Sequence, residues 1–446
     1  MTSHRQAARS APSPSLSDDE RAVLALIERV DILESLSALV AAPSCDGHES
    51  AAQSVMAGPM REAGLTIDQW AIDLDELQRH PAFSAEIERR EAIGLVGFAG
   101  RHAGRGRDLI LNGHIDVVSA GDQARWRHRP WKVEIENGLA FGRGVVDMKG
   151  GLVCAVTAAR ALHKAGIEPL GRLIIESVVG EEDGGLGTLA TILRGYRADG
   201  AVVVEPTRLA VVPVQAGALT FRMRVQGLAA HAAMRWEGVS ALEKFALLYD
   251  AVLALEKART DEVRSAWFAT LFRDYPIPCP IGIGRLRAGE WPSTVPEELV
   301  CEGRLGVMPG EDLARAKERF EHAVAQAAAD DEWLRSHPPV VEWWGGRFAP
   351  GTTDTVDPLV QALAAVHADL VGEPPAVAGV TYGADMGLLV NEAGIPTVLY
   401  GPGDVACAHQ PDEQVPLAEL ERATAVLALL SMRFCGYRSQ THSGPA

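Results

Sequence analysis

Four short stretches limit what this chain can fold into. AIGLVGFAG, DLILNGHIDVV, GRLIIESVVG and GAVVVEP are runs of Val, Ile and Leu with almost no polar alternation. Strands of that kind are buried on both faces, as in parallel sheets with helices on either side. The intervening DMKGGLVCAVTAARALHKAG has apolar residues at helical spacing, which a crossover between parallel strands requires. The expectation is an α/β domain built on a mainly parallel sheet. It opens with helices in LSDDERAVLALIERVDILESLSALVA, after a Ser- and Pro-containing stretch, residues 1–17, expected to be disordered.

After about residue 212 the pattern changes. GALTFRMRVQG alternates apolar with polar residues, GVSALEKFALLYDAVLALEKA is an amphipathic helix, and PIGIGRL and EELVCEGRLGVM read as strands. A second amphipathic helix, GEDLARAKERFEHAVAQAAADD, and a closing strand, PPVVEWWGG, complete a β-α-β-β-α-β order, the ferredoxin-like α+β arrangement. DTVDPLVQALAAVHADL and IPTVLYGPG then return to the first texture. A chain of 446 residues exceeds what one core usually organises. The reading is therefore a domain of residues 18–212 and 349–446 interrupted by one of residues 213–348, with hinges near 212–214 and 348–351.

Composition excludes some partners. With 42 basic and 59 acidic residues the net charge is −17, which repels phosphate backbones and anionic lipid alike. No nucleic acid and no membrane are expected as partners, and no stretch of eighteen uncharged apolar residues suggests a span. The six cysteines show no C-x-x-C spacing, so neither a disulfide framework nor a thiolate metal site is expected, and a reducing cytoplasm fits best.

In open parallel sheets ligands bind at the carboxyl ends of strands. There LILNGHIDVV supplies His114 and Asp116, GRGVVDMKGG supplies Asp147, SVVGEEDGG supplies Glu181 and Glu182, VVVEPT supplies Glu205, and YGPGDVACAHQPDE supplies His409. Taken singly, each has an ordinary structural reading: Asp147 as a helix cap, Glu205 as a turn residue before Pro206, a histidine as a satisfied surface residue. Together they put charge at the buried ends of several apolar strands, which costs several kcal/mol per group unless it is paired or metal-bound. His, Asp and Glu without thiolates suit zinc or a similar divalent ion, and the set is too large for one tetrahedral site. Two ions bridged by a carboxylate would use it fully.

These strings resemble the signatures of the dinuclear zinc amidohydrolases, the family of acetylornithine deacetylase, succinyl-diaminopimelate desuccinylase, aminoacylase and the glutamate-releasing carboxypeptidases. The resemblance runs in order from about residue 20 to 435. It implies that His114 and Glu205 hold one ion, Glu182 and His409 the other, and that Asp147 bridges them. It also implies that Asp116 hydrogen-bonds the His114 imidazole and that Glu181 is the general base for a water attacking an amide carbonyl. The ions would be two Zn2+, with Co2+ or Mn2+ as substitutes. The inserted domain would be a lid and dimerisation domain, from which His231 reaches the neighbouring subunit's site in a homodimer. No family role transfers to Asp183, and a solvated or capping residue is the expectation for it.

The chain also departs from the family. Ser293, in GEWPSTVP, stands where many relatives have a substrate-contacting Asn. Gly387, in GADMG, stands where several amino-acid deacylases have an Arg that grips the substrate carboxylate. Arg304 resembles a lid arginine used for substrate, and Trp291 reads either as a flat substrate contact or as a packed core residue. The function expected is hydrolysis of a small N-acyl compound, deacetylase or deacylase in type. The alternatives are a dipeptidase or carboxypeptidase, a deformylase or deacylase acting on a heterocyclic amine, and a non-catalytic member, which would be expected to have lost a ligand or the base.

Overall fold

The structure is a computed structural model and describes residues 16–101 and 105–440. The expected disorder of residues 1–17 thus falls mostly outside the described residues. Ser17 lies inside them: its side chain accepts from the Glu20 N–H and its own N–H is taken by the Glu20 carboxylate, a capping box that starts the helix Asp18–Ala25.

The larger sheet runs in the order Thr66–Ala71, Ile93–Ala99, Leu173–Val178, Leu109–His114, Gly200–Val203, Thr397–Leu399, Val211–Gln215, Gly351–Thr352, and Val377–Val380 pairs with Val211–Gln215 off that path. Its central four strands, Leu173–Val178 to Thr397–Leu399, are parallel throughout, and antiparallel strands flank them. Every residue of Leu109–His114, Leu173–Val178 and Gly200–Val203 is buried, as their unbroken apolar runs require.

Helices cover both faces, and two adjacent residues show it. The Asn112 side chain bonds Thr188 in the helix Leu186–Leu193, whereas an added Cβ at Gly113 would touch Leu152 in the helix Lys149–Lys164. Successive strand residues point to opposite faces, so these helices lie on opposite sides. The second helix sits very close to the sheet: a Cβ at Gly151 would stand 2.0 Å from the Val204 carbonyl oxygen. Only glycine permits that approach, which draws the turn carrying Asp147 down onto the strand that carries Glu205.

The inserted domain is a four-stranded antiparallel sheet in the order Ile281–Ala288, Glu298–Val307, Gly217–Gln226, Val340–Phe348. The helices Ala241–Ser265 and Leu313–Ala329 share one core with it, which includes Phe221, Leu248, Val252 and Phe320. The chain leaves the larger sheet after Val211–Gln215, slightly beyond the texture change, because Pro213, Val214 and Gln215 still pair within that sheet.

One carboxyl is buried within the larger sheet. Glu176 accepts from Asn112 at 3.0 Å, and burial pushes its pKa up to about 7. The folded chain therefore keeps a proton that the unfolded chain releases above about 4.5, so stability falls as pH rises between those values and stays reduced above them. Glu176→Gln should raise unfolding stability at pH 8 by about 1–3 kcal/mol and leave it nearly unchanged at pH 5, as read by thermal unfolding at the two pH values.

Candidate metal centre

The parallel strands end together, and their last residues converge. His114 closes Leu109–His114, Glu181 and Glu182 follow Leu173–Val178, Glu205 follows Gly200–Val203, and Asp147 sits in the turn before Lys149–Lys164. His409 arrives on the loop after Thr397–Leu399 with a left-handed backbone, φ 59°. His114 Nε2 is 3.1 Å from Asp147 Oδ1, 3.8 Å from Glu181 Oε2 and 3.9 Å from Glu205 Oε1. On the other side His409 Nε2 is 3.2 Å from Asp147 Oδ2 and 3.1 Å from Glu182.

Two donor sets result, His114 with Asp147 and Glu205, and Asp147 with Glu182 and His409, each with its atoms within 4.8 Å of one another. Asp147 belongs to both and turns one oxygen to each. His114 is buried, whereas the His409 side chain is 52% exposed, so the centre opens on the His409 side.

The electrostatics suit cations. Burial pushes the Glu181 and Glu205 carboxyls well above the usual range and raises Glu182, with neighbouring carboxylates adding to each. Burial also disfavours a charge on Asp147, but bonds from His114 and His409 outweigh it and hold the carboxyl low. The bonds to Asp147 and Glu182 raise His409 to about 10, and Asp147 with the surrounding acids raises His114 despite its burial. The acids thus favour positive charge at the places where divalent ions would supply it. Oxygen and imidazole donors in two sets sharing one carboxylate fit two such ions.

Supporting contacts fix this arrangement. His114 Nδ1 lies 2.9 Å from the Asp116 backbone carbonyl. A carbonyl only accepts, so Nδ1 carries the proton and Nε2 faces the centre. The expected bond from the Asp116 carboxylate is not formed: it stands 3.8 Å from Nδ1 and instead accepts the Glu182 N–H at 3.0 Å. Asp116 therefore orients both sets, one through its main chain and one through its side chain. Glu413 accepts from the N–H groups of Val146 and Asp147 and pairs with buried Arg143 at 2.6 Å, which anchors the turn that presents Asp147.

Asp183 corrects the reading of it as a solvated or capping residue. It is 3% exposed and receives a bidentate pair from Arg89 at 2.8 and 2.9 Å, besides the N–H groups of Glu86 and Ile87. Arg89 had no signal in the sequence, because EIERREA reads as a surface loop, and neither Glu413 nor Arg143 could be paired across some 270 residues.

The remaining residues separate into two places. Arg304, on Glu298–Val307, lies near enough to Glu181 and Glu182 for their charges to act on it, with its guanidinium 5.7 Å from the Phe348 ring. His231 and Ser293 lie together at the far tip of the inserted domain, where His231 bridges to Thr294 and the Ser293 carbonyl accepts the Ala232 N–H. Their described contacts stay within that tip. Trp291 is 70% exposed there, so it is not the packed core residue of the alternative reading. Gly387 is sterically committed: a Cβ would stand 2.2 Å from the Ala349 carbonyl oxygen, leaving no room for any side chain.

Residues 110–433 match the family model of peptidase family M20/M25/M40. The chain is 29% identical over 410 residues, 87% of its own length and 90% of the relative's, to N-formyl-4-amino-5-aminomethyl-2-methylpyrimidine deformylase of Bacillus subtilis. It is 32% identical over 350 residues, 74% and 80% of the two lengths, to the same-named protein of Halalkalibacterium halodurans. Among solved structures, a Saccharomyces cerevisiae dipeptidase superposes with a TM-score of 0.72 at 14% identity, over 93% of this chain and 98% of that one.

Sharing of Asp147 makes the two donor sets unequal to mutation. Bound-metal analysis after dialysis should find about two divalent ions per wild-type chain. His409→Ala should lose one of them, and Asp147→Ala should lose most of both.

Proposed function

The chain belongs to peptidase family M20/M25/M40, and from that membership we propose that it hydrolyses the amide of a small N-acyl compound whose amine half is a heterocyclic amine such as an aminopyrimidine. The observation that carries the metal-dependent chemistry is Asp147, one carboxylate offered to two donor sets beside a Glu181 that belongs to neither. The names of the two deformylases from Bacillus subtilis and Halalkalibacterium halodurans support the substrate class. So does Gly387, since the Ala349 carbonyl oxygen leaves no room for the Cβ of an arginine at that position.

His114, Glu205 and Asp147 would hold one ion, and Asp147, Glu182 and His409 the other. Ions held there would supply polarisation of the acyl carbonyl and a lowered pKa for water. Zinc is the expected occupant, and cobalt or manganese suit the same donors. Glu181 takes the proton from the attacking water and returns it to the leaving amine nitrogen. Arg304 faces Glu181 and Glu182, favours their ionised forms and lines the side on which the amine half lies. Residues 213–348 act as a lid, and closing it over the centre excludes water during turnover.

His231 acts on a second copy of the chain, where it stabilises the oxyanion, and Ser293 lies in the same tip to contact substrate. The exposed side chains of Trp236, Trp291 and Met234 around that tip support a homodimer through the inserted domain. Free thiols on all six cysteines support a cytoplasmic setting.

Glu181→Gln should retain both ions while kcat falls by about 10²–10⁴-fold. A metal-loaded enzyme should turn over N-formyl and N-acetyl aminopyrimidines with kcat/KM at least about tenfold above that for N-acetyl amino acids. Selective turnover of one acyl-α-amino acid would reject the substrate class and leave the chemistry in place.

A further inference from the structure

Glu181 reaches the centre on a short loop flanked by glycines. It lies between Gly180 and Gly184, which have φ values of +67° and +143°, beside Glu182 and within reach of Glu205. What holds this loop comes from neither the sheet nor the metal donors. Residues 81–89 run alongside it and touch it at three points. Arg89 grips the Asp183 carboxylate, the Glu86 and Ile87 N–H groups donate to the same carboxylate, and Ser84 Oγ donates to the Gly184 carbonyl at 3.4 Å. Contact is close enough that a Cβ at Gly184 would stand 2.3 Å from the Ser84 carbonyl oxygen.

The other side of the same segment holds the inserted domain. The Glu86 carboxylate accepts from Thr220 Oγ1 at 3.0 Å and from the Gly346 N–H at 3.1 Å. Ser84 Oγ accepts the Arg347 N–H at 3.1 Å, and the Arg347 guanidinium donates to the Phe83 and Pro81 carbonyls. These partners lie on Gly217–Gln226 and Val340–Phe348, the two strands through which the inserted domain joins the larger one. Gly346 also backs directly onto the loop, since a Cβ there would meet the Asp183 carbonyl oxygen at 2.9 Å. The segment is fixed to the larger domain at its far end, where Arg89 binds the buried Glu49 at 2.8 Å.

We propose that residues 81–89 form a strap that couples the seating of the inserted domain to the position of Glu181, with Glu86 and Arg89 as positioning residues. Movement of Gly346 and Arg347 pulls on Glu86 and Ser84. The strap passes this to Asp183 and Gly184, which flank the Glu181–Glu182 pair on one side. The base would then stand in its working position only when the inserted domain is seated. The proposal rests on Glu181 being the general base.

Glu86 is exposed, so Glu86→Ala cuts the bonds to Thr220 and Gly346 without leaving a buried charge unpaired. Arg89→Lys keeps the charge and loses the bidentate geometry. Both variants should keep two bound ions and a KM within about twofold of wild type, while kcat drops by about 10–100-fold, the loss that a misplacement of about 1 Å causes. Hydrogen–deuterium exchange should quicken across residues 179–187 in Glu86→Ala, although the deleted carboxylate bonds none of those residues. Combining the two substitutions should cost little more than the worse of them, because both break one connection.

Unchanged exchange across residues 179–187 in Glu86→Ala overturns the strap, and so does a rise in KM at full kcat. Full activity of Glu181→Gln would instead strike the assignment of the base, and the exchange data would still report whether the strap holds the loop.

Discussion

The centre depends on one constraint: four carboxylates and two imidazoles share a pocket that water barely reaches. Asp147, Glu181, Glu182 and Glu205 come within a few ångströms of the two histidines, and all but His409 are mostly buried. Taking an ion out of water costs several kcal/mol even after the protein relaxes. The arrangement persists only with positive charge among the acids. The acids raise the pKa of both His114 and His409, and the donor geometry suits two divalent ions among them. The parallel sheet follows from the same constraint, because only adjacent strands running the same way deliver this many chain ends to one edge.

Two of the loops that bring acids to that edge are tied down by cations that take no part in the donor sets. Arg143 binds Glu413, whose other oxygen receives the N–H groups of Val146 and Asp147. Arg89 binds Asp183 beside the Glu181–Glu182 pair. Breaking one partner of such a buried pair typically costs about 3–5 kcal/mol, because the survivor is left uncompensated. The repulsion among the acids is therefore met from outside the centre, by ion pairs that hold backbone and leave the reacting carboxylates free.

How much of this was legible in the sequence depended on the range of the interaction. Both sheets, their helices and the β-α-β-β-α-β order could be read because burial patterns repeat over a few residues. The acids and histidines could be read because strand ends are local and the sheet brings them together. Asp183 could not be read, since its partner, Arg89, lies some ninety positions earlier in a stretch that looks like solvated surface. The role of Asp116 was half legible: its place beside His114 was clear, but whether its carboxylate or its carbonyl met the imidazole depends on a turn whose geometry no spacing specifies. His231, Ser293 and Trp291 were legible singly, and that His231 and Ser293 meet at one tip was not.

Specificity and domain geometry meet at one backbone contact. Gly387 lacks the arginine of carboxylate-binding relatives, and the contact explains why the position cannot regain it: the Ala349 carbonyl oxygen fills the space where a Cβ would begin. Ala349 lies on the return from the inserted domain, between Val340–Phe348 and Gly351–Thr352, and Gly351 in turn packs against Met386. The segment that seats the inserted domain therefore leaves no room for a side chain at Gly387. A single Gly387→Arg substitution could not be accommodated, because the whole return segment would have to move, and the inserted domain and the strap bonds to Gly346 and Arg347 would move with it. A side chain at position 387 therefore requires a change in how the two domains meet.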